Sequence, residues 1–268
     1  MSNKRYSNKG VNSAAKAQAQ AAAAQESKRQ TLIICLVAIA VVILAVVLAI
    51  VLGNSGSSTA DTTTTAQSTT AAPDPETYDL MESVKAEIDS LEVSDFVETA
   101  RPSEYVKLTI QHYGEVVVRL RADIAPLTVQ NFKDLVEKKF YDGTSIHRVV
   151  KNFMIQGGAP KDSSSSLTAI KGEFSSNGVK NNLSHIKGVI SMARTSVMDS
   201  ATSQFFICNA DASASLDKNY AAFGYVVAGL DVVMTISETE VQMNDYGSEV
   251  SKPVSAITIE KVCFVNKK

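Results

Sequence analysis

The chain of 268 residues has no tryptophan, three histidines and three cysteines. Cys35, Cys208 and Cys263 are far apart and form no C-x-x-C pair, so neither a disulfide framework nor a cysteine metal site is spelled out. A Cys208–Cys263 bridge and two apolar-buried thiols both remain open. His112, His147 and His185 lack metal-ligand spacing. There is no nucleophile elbow of the serine-hydrolase kind and no internal repeat. A formal net charge of −2 argues against a general nucleic-acid binder.

Two local absences are more telling. Residues 32–52 (LIICLVAIAVVILAVVLAIVL) hold no charged or strongly polar side chain. As a helix this run is roughly 30 Å long, the thickness of a bilayer core. A signal-peptide core is shorter and lacks a long preamble. Residues 53–77 contain no Lys or Arg, whereas residues 1–30 hold Lys4, Arg5, Lys9, Lys16, Lys28 and Arg29 against Glu26 alone. That asymmetry predicts a single-pass membrane protein with a cytoplasmic N-terminus, so everything after the run is extracytoplasmic.

The chain then divides. Residues 1–30 are a basic, Ala- and Gln-rich cytoplasmic segment, 31–52 a transmembrane helix, and 53–76 a Ser/Thr-rich linker with Pro73 and Pro75. Leu80, Met81, Val84, Ile88 and Leu91 predict a helix over 77–92, within a helical spacer at 77–102. A single domain follows at 103–268. There, Tyr105–Ile110 and Glu115–Leu120 flank a Gln-His-Tyr-Gly turn and predict a hairpin. Pro126 opens a helix through Val129, Phe132, Leu135 and Val136. Short apolar runs at 145–150, 153–157, 188–193, 204–208, 222–227 and 256–265 predict strands, and a second helix is expected at 229–236. Many short strands with only two helices indicate an all-β, closed antiparallel barrel rather than alternating β-α units.

Within it, residues 147–158 read His-Arg-Val-Val-Lys-Asn-Phe-Met-Ile-Gln-Gly-Gly. An arginine in an apolar segment needs a use or a partner, because an unpaired interior charge is costly. Strand alternation puts Met154 and Gln156 on one face and Phe153 and Ile155 on the other. The glycine pair leaves the backbone open to close approach. By themselves Phe153, Phe206 and Leu216 read as core, Met154 as a gap-filler and Arg148 as an ion-pair partner.

Three stretches taken together change that: the 147–158 segment, Gly188-Val-Ile-Ser-Met-Ala193 followed by Ser203-Gln-Phe-Phe-Ile207, and Leu216-Asp-Lys-Asn-Tyr-Ala-Ala-Phe-Gly224. With the Ala125–Phe132 helix start and the Tyr141-Asp-Gly143 turn, they closely resemble the cyclophilin family of peptidyl-prolyl cis-trans isomerases over about residues 104–265. The resemblance implies an eight-stranded antiparallel barrel capped by two helices, with a peptide groove on its outer wall. It places Arg148 and Gln156 as catalytic. It places Phe153, Met154, Ala193, Gln204, Phe206, Leu216 and Tyr220 in the substrate groove, Tyr220 standing where many eukaryotic members have histidine. It implies no metal and no cofactor. His147 is expected to be scaffolding, since isomerisation needs no proton transfer. Two departures stand out. The loop after Met192 reads Ala-Arg-Thr-Ser-Val-Met-Asp-Ser-Ala-Thr, where many members are shorter and rich in Asn and Gly. Ser215 stands where many members carry a cyclosporin-binding tryptophan. The expected partners are proline-containing peptides and unfolded exported proteins, with the lipid bilayer at residues 32–52. The alternative is a non-catalytic proline-peptide-binding module on the same fold, which the intact Arg148, Phe153, Met154, Gln156 and Phe206 disfavour.

Overall fold

A computed structural model describes residues 75–162 and 167–268. The expected cytoplasmic segment, membrane span and linker up to residue 74 lie outside them; Pro75 and Glu76, expected as the end of the linker, open a helix instead. No helix among the described residues is long and apolar enough to cross a membrane.

Eight strands close into a barrel. They are β2 (Tyr105–Ile110), β3 (Gly114–Leu120), β4 (Thr144–Val150), β5 (Met154–Gly157), β6 (Val189–Met192), β7 (Phe205–Cys208), β8 (Ala222–Ala228) and β11 (Ile257–Lys267). Their order is β11-β2-β3-β8-β6-β7-β5-β4, and β11 pairs again with β4 to seal the ring. Every pairing is antiparallel, as short strands joined by turns allow. These are the eight strands expected from the apolar runs, shifted by a residue or two at their ends.

Three further strands lie outside the barrel and were not expected. β1 (Phe96–Glu98) is an edge strand on β11, and β9 (Val241–Met243) pairs with β10 (Val250–Pro253) in a separate two-stranded sheet. Each has only three or four residues, too few to show an alternating pattern.

Helix α2 (Pro126–Glu137) buries Val129, Phe132, Leu135 and Val136 against the barrel interior. Its N-cap residue Ala125 has no side-chain oxygen. The buried Glu173 carboxylate substitutes, accepting from Leu127 N–H at 3.1 Å, Thr128 N–H at 2.7 Å and the Thr128 hydroxyl at 2.7 Å. It meets open backbone donors where the helix dipole favours negative charge. Helix α4 (Leu230–Ser237) also packs on the interior.

Two more helices exceed the expected capping pair: α3 (Ser213–Leu216), a single turn, and α1 (Pro75–Glu87). The predicted helix at 77–92 therefore starts earlier and stops sooner. Beyond Glu87 the backbone turns through Asp89 at φ 54°. Asp89 and Leu91 N–H then bond to the carbonyls of Val226 and Val227 at 3.2 and 3.0 Å. Met81 and Val84 are buried against the outer face of β8, in a cluster with Tyr225 and Val227. This explains why every residue of β8 is buried: the barrel covers one face and α1 the other.

Candidate active site

Strand register builds a row of side chains on the outer barrel wall. Arg148 of β4 pairs with Gln156 of β5, and Gln156 pairs with Phe206 of β7. Directly paired residues share a face, with Cβ atoms about 4.5–5.5 Å apart. Met154, two positions from Gln156 along β5, falls on the same face. The intervening Val149, Ile155, Phe205 and Ile207 point into the barrel core. Met154 and Phe206 instead form an outer cluster with Cys208, Ala212 and Leu216.

Phe153 departs from the expected alternation. It lies in the β4–β5 turn, after Asn152 at φ 57°, and its N–H bonds to Val150 O at 3.2 Å. Freed from the strand, its ring packs on the Met154 cluster rather than across the sheet. The glycine pair also differs from expectation, because what approaches it is the protein itself. A Cβ on Gly157 would stand 2.7 Å from Ile146 Cδ1. One on Gly158, at φ 77°, would stand 2.9 Å from Ser203 O and from Tyr141.

A cavity of about 190 Å³ opens over this row. Every residue expected at the site lines it except Gln204, which stands behind: its Oε1 accepts from Gln156 Nε2 at 3.0 Å. Leu216 and Tyr220 arrive from α3 and the turn after it, and the Tyr220 ring meets Phe206 edge-on at 5.8 Å.

The arginine is held in place. Arg148 Nε donates to Glu249 Oε2 at 2.7 Å and Nη2 to Glu249 Oε1 at 2.8 Å, a bidentate pair. Nη1 faces the cavity wall, donating to Gln156 Oε1 at 3.2 Å, with Met154 Sδ at 3.7 Å. The bonds from Arg148 pull the Glu249 carboxyl down to about 2. Sequence reasoning missed Glu249, which directly precedes β10. An arginine in an apolar segment announces that a partner exists, but not where it is.

Two more contributors were missed. Arg194 lies between the rings of Phe174 and Tyr220, at 5.1 and 4.8 Å from their centroids. It lines the cavity while donating to Asn219 O at 2.9 Å. Its signal was its place in the loop that departs from the family pattern. His185, buried, stacks on Phe206 at 6.0 Å. Its Nδ1 lies 2.8 Å from Asp217 Oδ1 and its Nε2 3.0 Å from Ser191 Oγ. Burial acts to raise the Asp217 carboxyl, but hydrogen bonds from His185 and Ser184 outweigh it and hold the group low. His147, by contrast, is pushed down by burial and by the Arg148 charge. Its buried Nδ1 has no hydrogen-bond partner.

The profile of the family described as cyclophilin type peptidyl-prolyl cis-trans isomerase/CLD matches residues 105–263. The chain belongs to the cyclophilin family. It is a cyclophilin-type peptidyl-prolyl cis-trans isomerase. It is 41% identical over 176 residues to peptidyl-prolyl cis-trans isomerase A of Dickeya dadantii, covering 63% of this chain and 88% of that one. Identity is 39% over 156 residues with an Acinetobacter baylyi isomerase, covering 56% and 79%. With isomerase B of Escherichia coli it is 35% over 161 residues, covering 56% and 94%. A cyclophilin of Cryptosporidium parvum, crystallised in the presence of the dipeptide Ala-Pro, shares the fold with a TM-score of 0.51 at 24% identity. That likeness covers 60% of this chain and 98% of the other. The cyclophilin profile match excludes α1 and β1, which precede residue 105.

Proposed function

We propose that this cyclophilin accelerates X-Pro rotation in exported or cell-surface proteins, with Arg148 as the donor that favours the transition state. Amide resonance gives the bond a barrier of about 18–20 kcal/mol. When the bond twists, resonance is lost and the prolyl nitrogen regains a lone pair. A donor aimed at that nitrogen binds the twisted state better than either planar state, as catalysis requires.

The observation that carries this reading is the division of the guanidinium. Glu249 engages Nε and Nη2, leaving Nη1 on the cavity side against Gln156 and Met154. Thioether sulfur is a weak acceptor, so a developing nitrogen lone pair displaces it readily. One charge-assisted hydrogen bond contributes about 1.5–3 kcal/mol, roughly one to two powers of ten in rate. The rest comes from holding the proline ring on Phe153, Met154, Phe206 and Leu216 while the preceding carbonyl rotates. Gln156, tied to Arg148 and Gln204, aligns the peptide chain. The reaction needs neither a proton transfer nor a covalent intermediate.

The cellular side rests on residues 1–76, where the apolar run and the one-sided charge support an anchored domain outside the cytoplasm. A proline-isomerisation assay on residues 75–268 tests the activity, with faster cis-to-trans conversion of an X-Pro peptide expected. Binding without acceleration would mark a peptide-binding module instead. For orientation, a C-terminal tag should be open to protease in intact cells; an N-terminal tag cut alone would reverse it.

A further inference from the structure

Helix α1 builds a second concavity beside the proline pocket. A cleft of about 670 Å³ lies between α1 and the segments 181–186 and 211–220, within the range of small-ligand sites, about 300–1,000 Å³. Tyr78 and Met81 line it from the helix, Leu183 and Ile186 from the barrel side. Tyr220 lines both this cleft and the proline pocket. His185, which backs Phe206 of that pocket, also lines the cleft.

The helical wall is fixed. Glu87 Oε2 accepts from Arg119 Nη1 at 2.6 Å and from the Tyr225 hydroxyl at 2.7 Å. Val84 is fully buried, and Met81 Sδ takes the Ser184 N–H at 3.3 Å. Tyr78, by contrast, is 56% exposed, a large aromatic left open at the cleft. The charged groups there are of mixed sign: Lys85 pairs with Glu82 at 2.9 Å, and Asp211 and Lys218 also line the cleft. Charge therefore selects nothing, and apolar burial is the available source of affinity.

We infer that this cleft is an accessory subsite for client residues flanking the proline, taking an apolar or aromatic side chain. The occupant follows from continuity: Tyr220 belongs to both concavities, so an extended chain seated in the proline pocket and running past Tyr220, at about 3.3 Å per residue, reaches the cleft. The inference rests on the isomerase reading of that pocket.

The test compares the full chain on an Ala-Ala-Pro-Phe tetrapeptide and on peptides extended by four residues at either end, carrying Leu or Lys. Extension with Leu at one end raises kcat/KM about three- to tenfold, the scale of partly burying one large apolar side chain. Tyr78→Glu and Tyr78→Ala abolish that gain while tetrapeptide turnover stays unchanged, and Tyr78→Phe retains it. No gain from Leu over Lys, or a gain that survives Tyr78→Glu, overturns the subsite and leaves the isomerase reading intact. A tetrapeptide the wild type does not accelerate overturns both.

Discussion

Arg148 and Glu249 are 101 positions apart in the chain and joined by two hydrogen bonds, at 2.7 and 2.8 Å. The pair decides which edge of the guanidinium faces the cavity. Arginine has a planar fork of donors on a long, flexible stem, and without a partner its orientation is averaged over rotamers. Glu249 takes one edge of the fork and thereby presents the other.

Glu249→Gln keeps the shape and removes the charge. The pair is partly exposed, with side-chain accessibilities of 32% and 36%, so water screens it. A loss of about two- to fivefold in kcat/KM is expected, the scale of a partly exposed ion pair. Peptide isomerisation followed by exchange NMR measures it, and an unchanged rate would show that Glu249 does not position the arginine.

The pH dependence follows from the same pair. Glu249 is depressed in the folded state, from an ordinary value near 4.5 to about 2. Its contribution is therefore complete above the ordinary value and is lost as pH falls through about 2. His147 is also depressed, chiefly by burial, so the neutral form predominates at its ordinary pKa of 6.5 and increasingly above it. The rate should be level between pH 6.5 and 8. A bell-shaped profile in that interval, abolished by His147→Ala, would make His147 a participant rather than scaffolding.

Gln156 and Gln204 form a graded pair. Gln156 lines the cavity and touches Arg148, whereas Gln204 reaches the site only through Gln156. Gln156→Ala should lower kcat/KM about tenfold and Gln204→Ala about two- to threefold, the difference between losing a charge-assisted bond and loosening one. The reverse order would place Gln204 in direct contact with substrate.

Met154 is 1% exposed and packs with Phe206, Cys208 and Leu216. Met154→Ala leaves a hole beneath the candidate-site cavity and should cost about 2–5 kcal/mol of stability, read as a lower urea midpoint. Cys208, paired across the sheet with Met154, is pushed up to about 12 by burial. Among the described cysteines both thiols are free, and Cys263, the less buried, should react with iodoacetamide first. Equal rates would show that the outer cluster opens readily.

The sequence shows the barrel well because its strands are written in apolar runs, and the turns at 111–113 and 141–143 carry recognisable chemistry. The site row is legible because β4, β5 and β7 hold most of it in three short motifs. What stays hidden comes from distant chain. Glu249 sits in a polar excursion between two strands too short to announce themselves. Glu173 caps α2 from 45 positions away. Phe153 defeats alternation because it lies in the turn after Asn152 at positive φ, and β5 begins only at Met154. The helix at 77–92 looked longer because Ile88 and Leu91 are apolar for another purpose: they pack on the barrel after α1 has ended.

Whether Arg148 acts on the twisted peptide bond is decided by one comparison. On residues 75–268, Arg148→Ala should lower kcat/KM for X-Pro isomerisation about tenfold or more, while Kd for a proline peptide changes far less, because the lost bond belongs to the transition state. An equal loss in peptide affinity, or an isomerisation rate that survives the substitution, would contradict it.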